Sequence, residues 1–216
     1  MSSTAGLPQP PKVGGETRGL FGERFGLAQR YFELLAEHGE ERGLIGPREL
    51  PRLWDRHIIN SALLARALPS DGNLVDVGSG AGLPGIVIAI ARPEMSVDLM
   101  EPMERRTDWL HEVVSKLGLE NVTVKRGRAE EFHGAFEYDF VTARAVAPMD
   151  RLVRWCMPLV EPGGQLLAMK GQRAEVELEA ALKPLRKFKA ASWEVQELPG
   201  VDGGESTRVV KVIKKR

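Results

Sequence analysis

The stretch LVDVGSGAGLPGIVIAIARPEMSVDLMEP, residues 74–102, constrains the fold of this chain more than any other. A short apolar run leads into glycines spaced by single residues, Gly78, Gly80 and Gly82, and a second apolar run starts at Gly85. A strand, a turn too tight for side chains and a helix together open a parallel α/β sheet. Backbone N–H groups at the start of that helix are expected to face a ligand. Pro84 suits the first helical turn, where a missing N–H does no harm.

The remainder of the chain extends this unit. Beyond Pro69, strand patterns at 74–77, 97–100, 122–125, 140–143 and 165–169 alternate with helical patterns at 85–91, 105–117, 149–159 and 174–188. Such alternation predicts a parallel sheet with helices on both faces. The end differs, because 192–198 and 207–213 are separated only by PGVDGGES, which reads as an antiparallel hairpin closing the sheet. Before the glycines, apolar residues recur at helical steps over 20–37 (Phe21, Phe25, Ala28, Phe32, Leu35) and 49–68 (Leu50, Leu53, Trp54, Ile58). These two helices are expected to form a cap over residues 19–70, ahead of a ligand-binding domain at 71–216. Residues 1–18, rich in Pro, Gly, Ser and Thr, are expected to be a disordered tail.

Composition removes several alternatives. With 30 basic and 30 acidic residues the formal net charge is zero, so any nucleic-acid contact must rest on local clustering. Cys156 is the only cysteine, which excludes an internal disulfide and argues against a thiolate metal site. The N-terminus has no apolar signal core, and no apolar run approaches the roughly 18 residues of a membrane span. The expectation is a cytoplasmic monomer without metal or membrane association.

The glycines themselves fit two cofactors. Gly80, Gly82 and Gly85 spell the dinucleotide pattern G-x-G-x-x-G, and Gly78, Gly80 and Gly82 behind Asp76 spell that of S-adenosylmethionine (SAM) enzymes. Asp76 favours SAM, because a carboxylate there can accept from a ligand amino group and would repel a pyrophosphate. Glu101, 19 residues past Gly82, suits a ribose in either case. GRAEEF, residues 127–132, places an N–H and a carboxylate where an adenine edge would lie, although Glu130 and Glu131 also suit a solvated helix start. A terminal hairpin is foreign to a two-half dinucleotide fold and familiar in SAM-dependent methyltransferases. The predicted class is therefore α/β, a Rossmann-like methyltransferase fold with a mostly parallel seven-stranded sheet, with a nicotinamide-dependent oxidoreductase as the alternative.

With RHIINS (56–61), DVGSGAGLPG (76–85), RPE (92–94), RAEEF (128–132), ARA (143–145) and LAMKGQ (167–172) assembled, the chain resembles the RsmG (GidB) family. That resemblance implies a SAM-dependent methyltransferase acting on N7 of a guanine in 16S ribosomal RNA of the small subunit, with S-adenosylhomocysteine as product. It implies a pocket in which Gly78 and Leu83 lie by the methionine side, Ala129 and Glu130 border the adenosine and Arg144 closes the far end. Asn60 stands where many members carry Asp, and GESTR, residues 204–208, replaces a common Gly-Glu-Arg-His.

Guanine N7 has a free lone pair, so no catalytic acid or base is assigned. Consistently, no Asn/Asp-Pro-Pro-aromatic motif follows 140–143, and Cys156 falls within a helical pattern. Arg144 and Lys170, at C-terminal strand ends, are positioning candidates. RNA-binding candidates are Arg48, Arg52, Arg56, His57, Lys170, Arg173, Arg208 and the terminal Lys-Lys-Arg. For His57 a hydrogen-bonded place between cap and sheet is the favoured reading, and Trp54, Cys156 and Met169 read as packing. With no obligatory catalytic side chain, a non-catalytic SAM-fold protein of ribosome assembly is the further alternative.

Overall fold

The computed structural model describes residues 13–216. It begins with α1 (Gly15–Gly19), a 3-10 turn (Gly22–Arg24) and α2 (Phe25–His38). A 3-10 turn (Leu50–Arg52), a π-helix (Leu53–Ile59) and α3 (Asn60–Arg66) follow. The sheet region then runs β1 (Asp71–Val77), α4 (Gly85–Ala91), β2 (Glu94–Glu101), α5 (Glu104–Leu117), β3 (Val122–Arg126) and a 3-10 turn (Ala129–Phe132). It continues through β4 (Tyr138–Arg144), α6 (Met149–Cys156), β5 (Val160–Lys170), α7 (Ala174–Ala180) and α8 (Leu182–Lys187). Strands β6 (Ala190–Leu198) and β7 (Thr207–Lys214) end the chain.

The seven strands lie in the order β3-β2-β1-β4-β5-β7-β6, with β1 to β5 parallel and β7 antiparallel to both β5 and β6. The predicted sheet and closing hairpin are both present. Strand order reverses between β1 and β4, and it is beyond the carboxyl ends at such a switch point that ligands bind.

Alternate residues of each strand supply two cores. Val75, Val77, Val141, Ala143, Leu166 and Ala168 pack with α6, α7 and α8. Leu74, Val97, Leu99, Leu167 and Met169 pack with α2, the π-helix, α3, α4 and α5. The N-terminal helices thus bury their apolar stripe directly against the sheet side of the molecule: Phe32 and Phe25 meet Trp54 edge-on within this shared core. Trp54, Met169 and Cys156 are buried in packing positions.

Several boundaries depart from the sequence expectations. Of the expected tail, residues 1–12 lie outside the described residues, but 15–18 are helical: the Thr17 N–H donates to Asp202 and Glu16 accepts from the Asp202 N–H. The helix expected over 20–37 is broken at Gly22, whose φ of +54° no continuing α-helix accepts. The pattern at 49–68 becomes a 3-10 turn, a π-helix and an α-helix in succession, so Arg48, Arg52 and Arg56 do not share the single α-helical face their spacing implied. The helix expected over 174–188 stops at Ala180, four residues before Pro184, whose ring would crowd that carbonyl. Among the described residues no helix is long and apolar enough to cross a membrane.

Candidate active site

β1 ends at Val77 and the chain turns through Gly78, Gly80 and Gly82, all with positive φ (+73°, +56° and +105°). A Cβ on Gly78 would lie 2.8 Å from Val146, and one on Gly82 would lie 2.6 Å from Ile86 and 2.8 Å from the Tyr31 hydroxyl. The glycines therefore serve both backbone shape and close approach. The loop is pinned at one further atom: the Ala81 carbonyl accepts from the Tyr31 hydroxyl (2.9 Å) and from Trp109 Nε1 (2.8 Å). Both side chains are buried, one from α2 and one from α5.

Most of the loop's N–H groups are spent on the protein itself. Gly78 and Ser79 donate to the Met100 carbonyl, Gly82 and Leu83 to the Ser79 carbonyl, and Ile86 to the Gly82 carbonyl. Gly80 donates to Glu101 Oε2 at 3.0 Å and Gly85 to Asp76 Oδ2 at 2.9 Å. This corrects the expectation that the start of α4 offers its N–H groups to a ligand. Pyrophosphate recognition needs free donors, whereas this loop has turned its donors inward and set two carboxylates behind them.

Those carboxylates differ in their unused capacity. Glu101, 2% exposed, accepts from the Gly80 and Met103 N–H groups, and Arg106 lies 3.7 Å away. Each of its oxygens keeps a second lone pair. Asp76 is fully buried, its Oδ2 is taken by Gly85, and its Oδ1 has no partner among the described residues. Burial pushes the Asp76 carboxyl up from 3.8 to about 7, with the Gly85 N–H and Arg144 drawing it the other way. An unpartnered buried carboxylate oxygen is costly, and it fits a site completed by a cationic ligand group.

A cavity of about 280 Å³ opens beyond the strand ends, lined by Val77, Gly78, Met100, Pro102, Gly127, Arg128, Ala129, Glu130, Val146 and Trp155. Ala129 is buried and Glu130 is exposed at the rim, while Glu131 accepts from the Arg128 N–H to cap the 3-10 turn. The acidic run thus divides between a helix start and a cavity edge. Leu83 is half-buried in the glycine loop and is not among the cavity's lining residues.

Arg144, at the end of β4, turns away from this cavity. Its guanidinium donates to the Arg56 and His57 carbonyls, to Ser61 Oγ and to His57 Nδ1. Arginine only donates, so His57 carries its proton on Nε2 and gives it to Glu49 Oε2 at 2.8 Å. Burial lowers the Arg144 pKa to about 10, and burial together with Arg144 holds His57 below its usual 6.5. His57 is the link between π-helix and sheet, in keeping with the interfacial reading.

The other basic candidates separate into two groups. Lys170 is turned inward, donating to the Ala147 carbonyl (2.6 Å) and to Glu177 (2.8 Å), and Arg208 reaches the Gln172 carbonyl and Glu175. Arg48, Arg52, Arg56 and Arg173 are exposed, with Arg56 3.9 Å from Glu49. Lys215 and Arg216 are exposed as well, whereas Lys214 donates to the Val160 carbonyl. Cys156 is buried and its thiol is pushed far above the usual range, which disqualifies it as a nucleophile. Tyr31, Trp109, Glu177 and Trp155 went unnoticed in the sequence, because each acts on a residue distant along the chain or through a backbone atom.

A glycine loop with spent donors, two carboxylates behind it and a cavity at the β1/β4 switch point define the SAM-dependent methyltransferase class. Solved structures of that class share the fold. A SAM-dependent O-methyltransferase from Thermotoga maritima aligns at TM-score 0.57 and 18% identity, covering 78% of this chain and 70% of that one. M. jannaschii TYW2 in complex with AdoMet aligns at TM-score 0.57 and 17% identity, covering 73% and 74%. The chain belongs to the GidB family, whose model, described as rRNA small subunit methyltransferase G, matches residues 25–205. Among curated relatives, Ribosomal RNA small subunit methyltransferase G of Beutenbergia cavernae is 54% identical over 91% of this chain and 92% of its own. The protein of the same name from Thermobifida fusca is 52% identical over 90% and 82%.

Proposed function

We propose that this chain transfers a methyl group from SAM to N7 of a guanine in 16S ribosomal RNA, acting as a cytoplasmic monomer on the small subunit or its RNA. The observation that carries the cofactor half is the Asp76 Oδ1, unpartnered among the described residues, beside a loop most of whose N–H donors are already used. The family match and the names of the relatives support the RNA half.

When bound, SAM supplies an activated methyl group on a sulfonium sulfur. In this reading Asp76 receives the ligand's ammonium group and Glu101 the ribose hydroxyls with its remaining lone pairs. Gly78 lets the ligand approach the backbone. Ala129 and Glu130 border the adenine, with the apolar Val77, Met100 and Trp155 around it. Arg144 closes the far end indirectly, by fixing the π-helix against β4. Leu83 and Gly82 shape the methionine side.

Guanine N7 attacks through its own lone pair, so no residue needs to remove a proton. The protein's task is alignment and exclusion of water, effects that can supply about 7–11 kcal/mol in favourable systems. The loop Ala145–Pro148 beyond β4 agrees, since Ala, Val, Ala and Pro carry no side-chain acid, base or hydrogen-bonding group. Exposed Arg48, Arg52, Arg56 and Arg173 would meet phosphates and position the RNA. His57, Lys170 and Arg208 act through the protein frame.

Small subunits from a strain lacking the modification, incubated with the protein and methyl-labelled SAM, test this directly. The expected result is label in 16S RNA, released as 7-methylguanine from one nucleotide. Label absent from RNA despite SAM binding would favour the assembly-protein reading, and NAD(H) binding without SAM binding would favour an oxidoreductase.

A further inference from the structure

The loop between β4 and α6 is held by two side chains that the reaction itself does not require. Lys170, with only 9% of its side chain exposed, donates to the Ala147 carbonyl at 2.6 Å and to Glu177 Oε2 at 2.8 Å. The same Glu177 oxygen accepts the Met149 N–H at 3.1 Å. One ion pair thereby holds the second half of a four-residue loop and its exit into α6. At the start of the same loop Ala145 has a φ of +55°, in the left-handed region that alanine seldom adopts. Next to it Val146 is 37% exposed, lines the cavity and lies against Gly78. An exposed apolar side chain at the mouth of a cavity, beside strained backbone and a loop held by a nearly buried lysine and its half-buried carboxylate partner, is costly to build. Surface contact alone would not sustain it.

We propose that Lys170 and Glu177 are a positioning pair for methyl transfer, fixing the loop so that Val146 forms the apolar wall against which the target base packs. The pair touches neither cofactor nor base. Lys170 sets the height of the loop through the Ala147 carbonyl, and Glu177 sets its exit into α6 through the Met149 N–H. The inference rests on the proposed RNA methyltransferase reading and adds which residues orient its substrate.

The experiment is steady-state methylation of unmodified small subunits by wild type, Lys170→Met, Glu177→Ala, the double variant and Glu177→Gln, with SAM affinity measured alongside. The expected result is a fall of about tenfold in kcat for each single variant, because slight misplacement of reacting groups is expensive in rate. SAM affinity stays within about twofold, and the double variant is no slower than the slower single one, since the two residues act as one device. Glu177→Gln keeps an oxygen that accepts from both Lys170 and Met149, so its kcat returns to within about threefold of wild type. Unchanged kcat in Glu177→Ala, a loss confined to SAM affinity, or additive losses would overturn the proposal. Amide hydrogen exchange over residues 145–149 reads the loop even if no RNA is methylated: faster exchange in Glu177→Ala supports the clamp, and unchanged exchange refutes it.

Discussion

Two charged regions flank the strand ends, and they are built on opposite terms. On the β1–β2 side, Asp76 and Glu101 are buried carboxylates with accepting capacity left over, one oxygen of Asp76 having no partner among the described residues. On the β4–β5 side, Arg144 and Lys170 are inward-turned cations whose donors are absorbed by the π-helix, Ala147 and Glu177. The first region keeps accepting capacity for a further group, whereas the second turns its cations onto the protein itself. Charge at a strand end therefore singles out a candidate ligand site only when its hydrogen-bonding capacity is unspent.

That contrast breaks most severely at Gly85. A Cβ there would lie 2.3 Å from Leu99 and 2.8 Å from Asp76 Oδ2, against core on one side and the carboxylate on the other. Gly85→Ala is expected to cost about 3 kcal/mol of stability by overpacking and to displace Asp76. Denaturant unfolding and SAM titration would both register it, and a neutral outcome would show that the Asp76 cradle tolerates movement.

A middle-sized effect separates the second region from the first. Arg144→Met strands the Arg56 and His57 carbonyls and is expected to cost about 2 kcal/mol. Its partner adds a pH dependence. His57 titrates below its ordinary value in the folded protein, so its neutral form stabilises the fold above pH about 6.5. That contribution is lost as pH falls through the lowered value. His57→Gln is therefore expected to flatten the acid side of a stability profile, and an unaltered profile would remove His57 from the linkage. The smallest effect belongs to Tyr31→Phe, which leaves Trp109 as the single donor to Ala81. A loss of about 1 kcal/mol in stability is expected, with a measurable drop in SAM affinity if the glycine loop loosens.

The difference between the two regions also explains what was readable in the sequence. β1, the glycine turn and β2 are adjacent in sequence, and their residue types are dictated by local backbone demands, so Asp76, Gly78 and Glu101 could be placed by spacing. The terminal hairpin was legible for the same reason. The clamps were not. Arg144 meets His57 and Arg56 across 87 and 88 residues, and Tyr31 meets Ala81 across 50, pairings that no periodicity encodes. Lys170 and Arg208 read as cations facing the substrate, because their partners Glu177 and Glu175 sit on a helix whose orientation the sequence leaves open. The π-helix at Leu53–Ile59 escaped because seven residues are too few to distinguish its period from that of an α-helix.

The unspent carboxylate offers the most direct measurement. A carboxyl raised from 3.8 to about 7 by burial favours the fold below its unfolded value, and that advantage is lost as pH rises through about 7. Asp76→Asn keeps an oxygen for the Gly85 N–H and carries no charge, so it should be at least as stable as wild type at pH 8. SAM titration calorimetry of both proteins at pH 8, with thermal unfolding in parallel, asks whether that costly charge is kept for the ligand. The expected result is a folded Asp76→Asn protein with SAM affinity reduced about 100-fold or more; a stable variant that binds SAM as wild type does would contradict it.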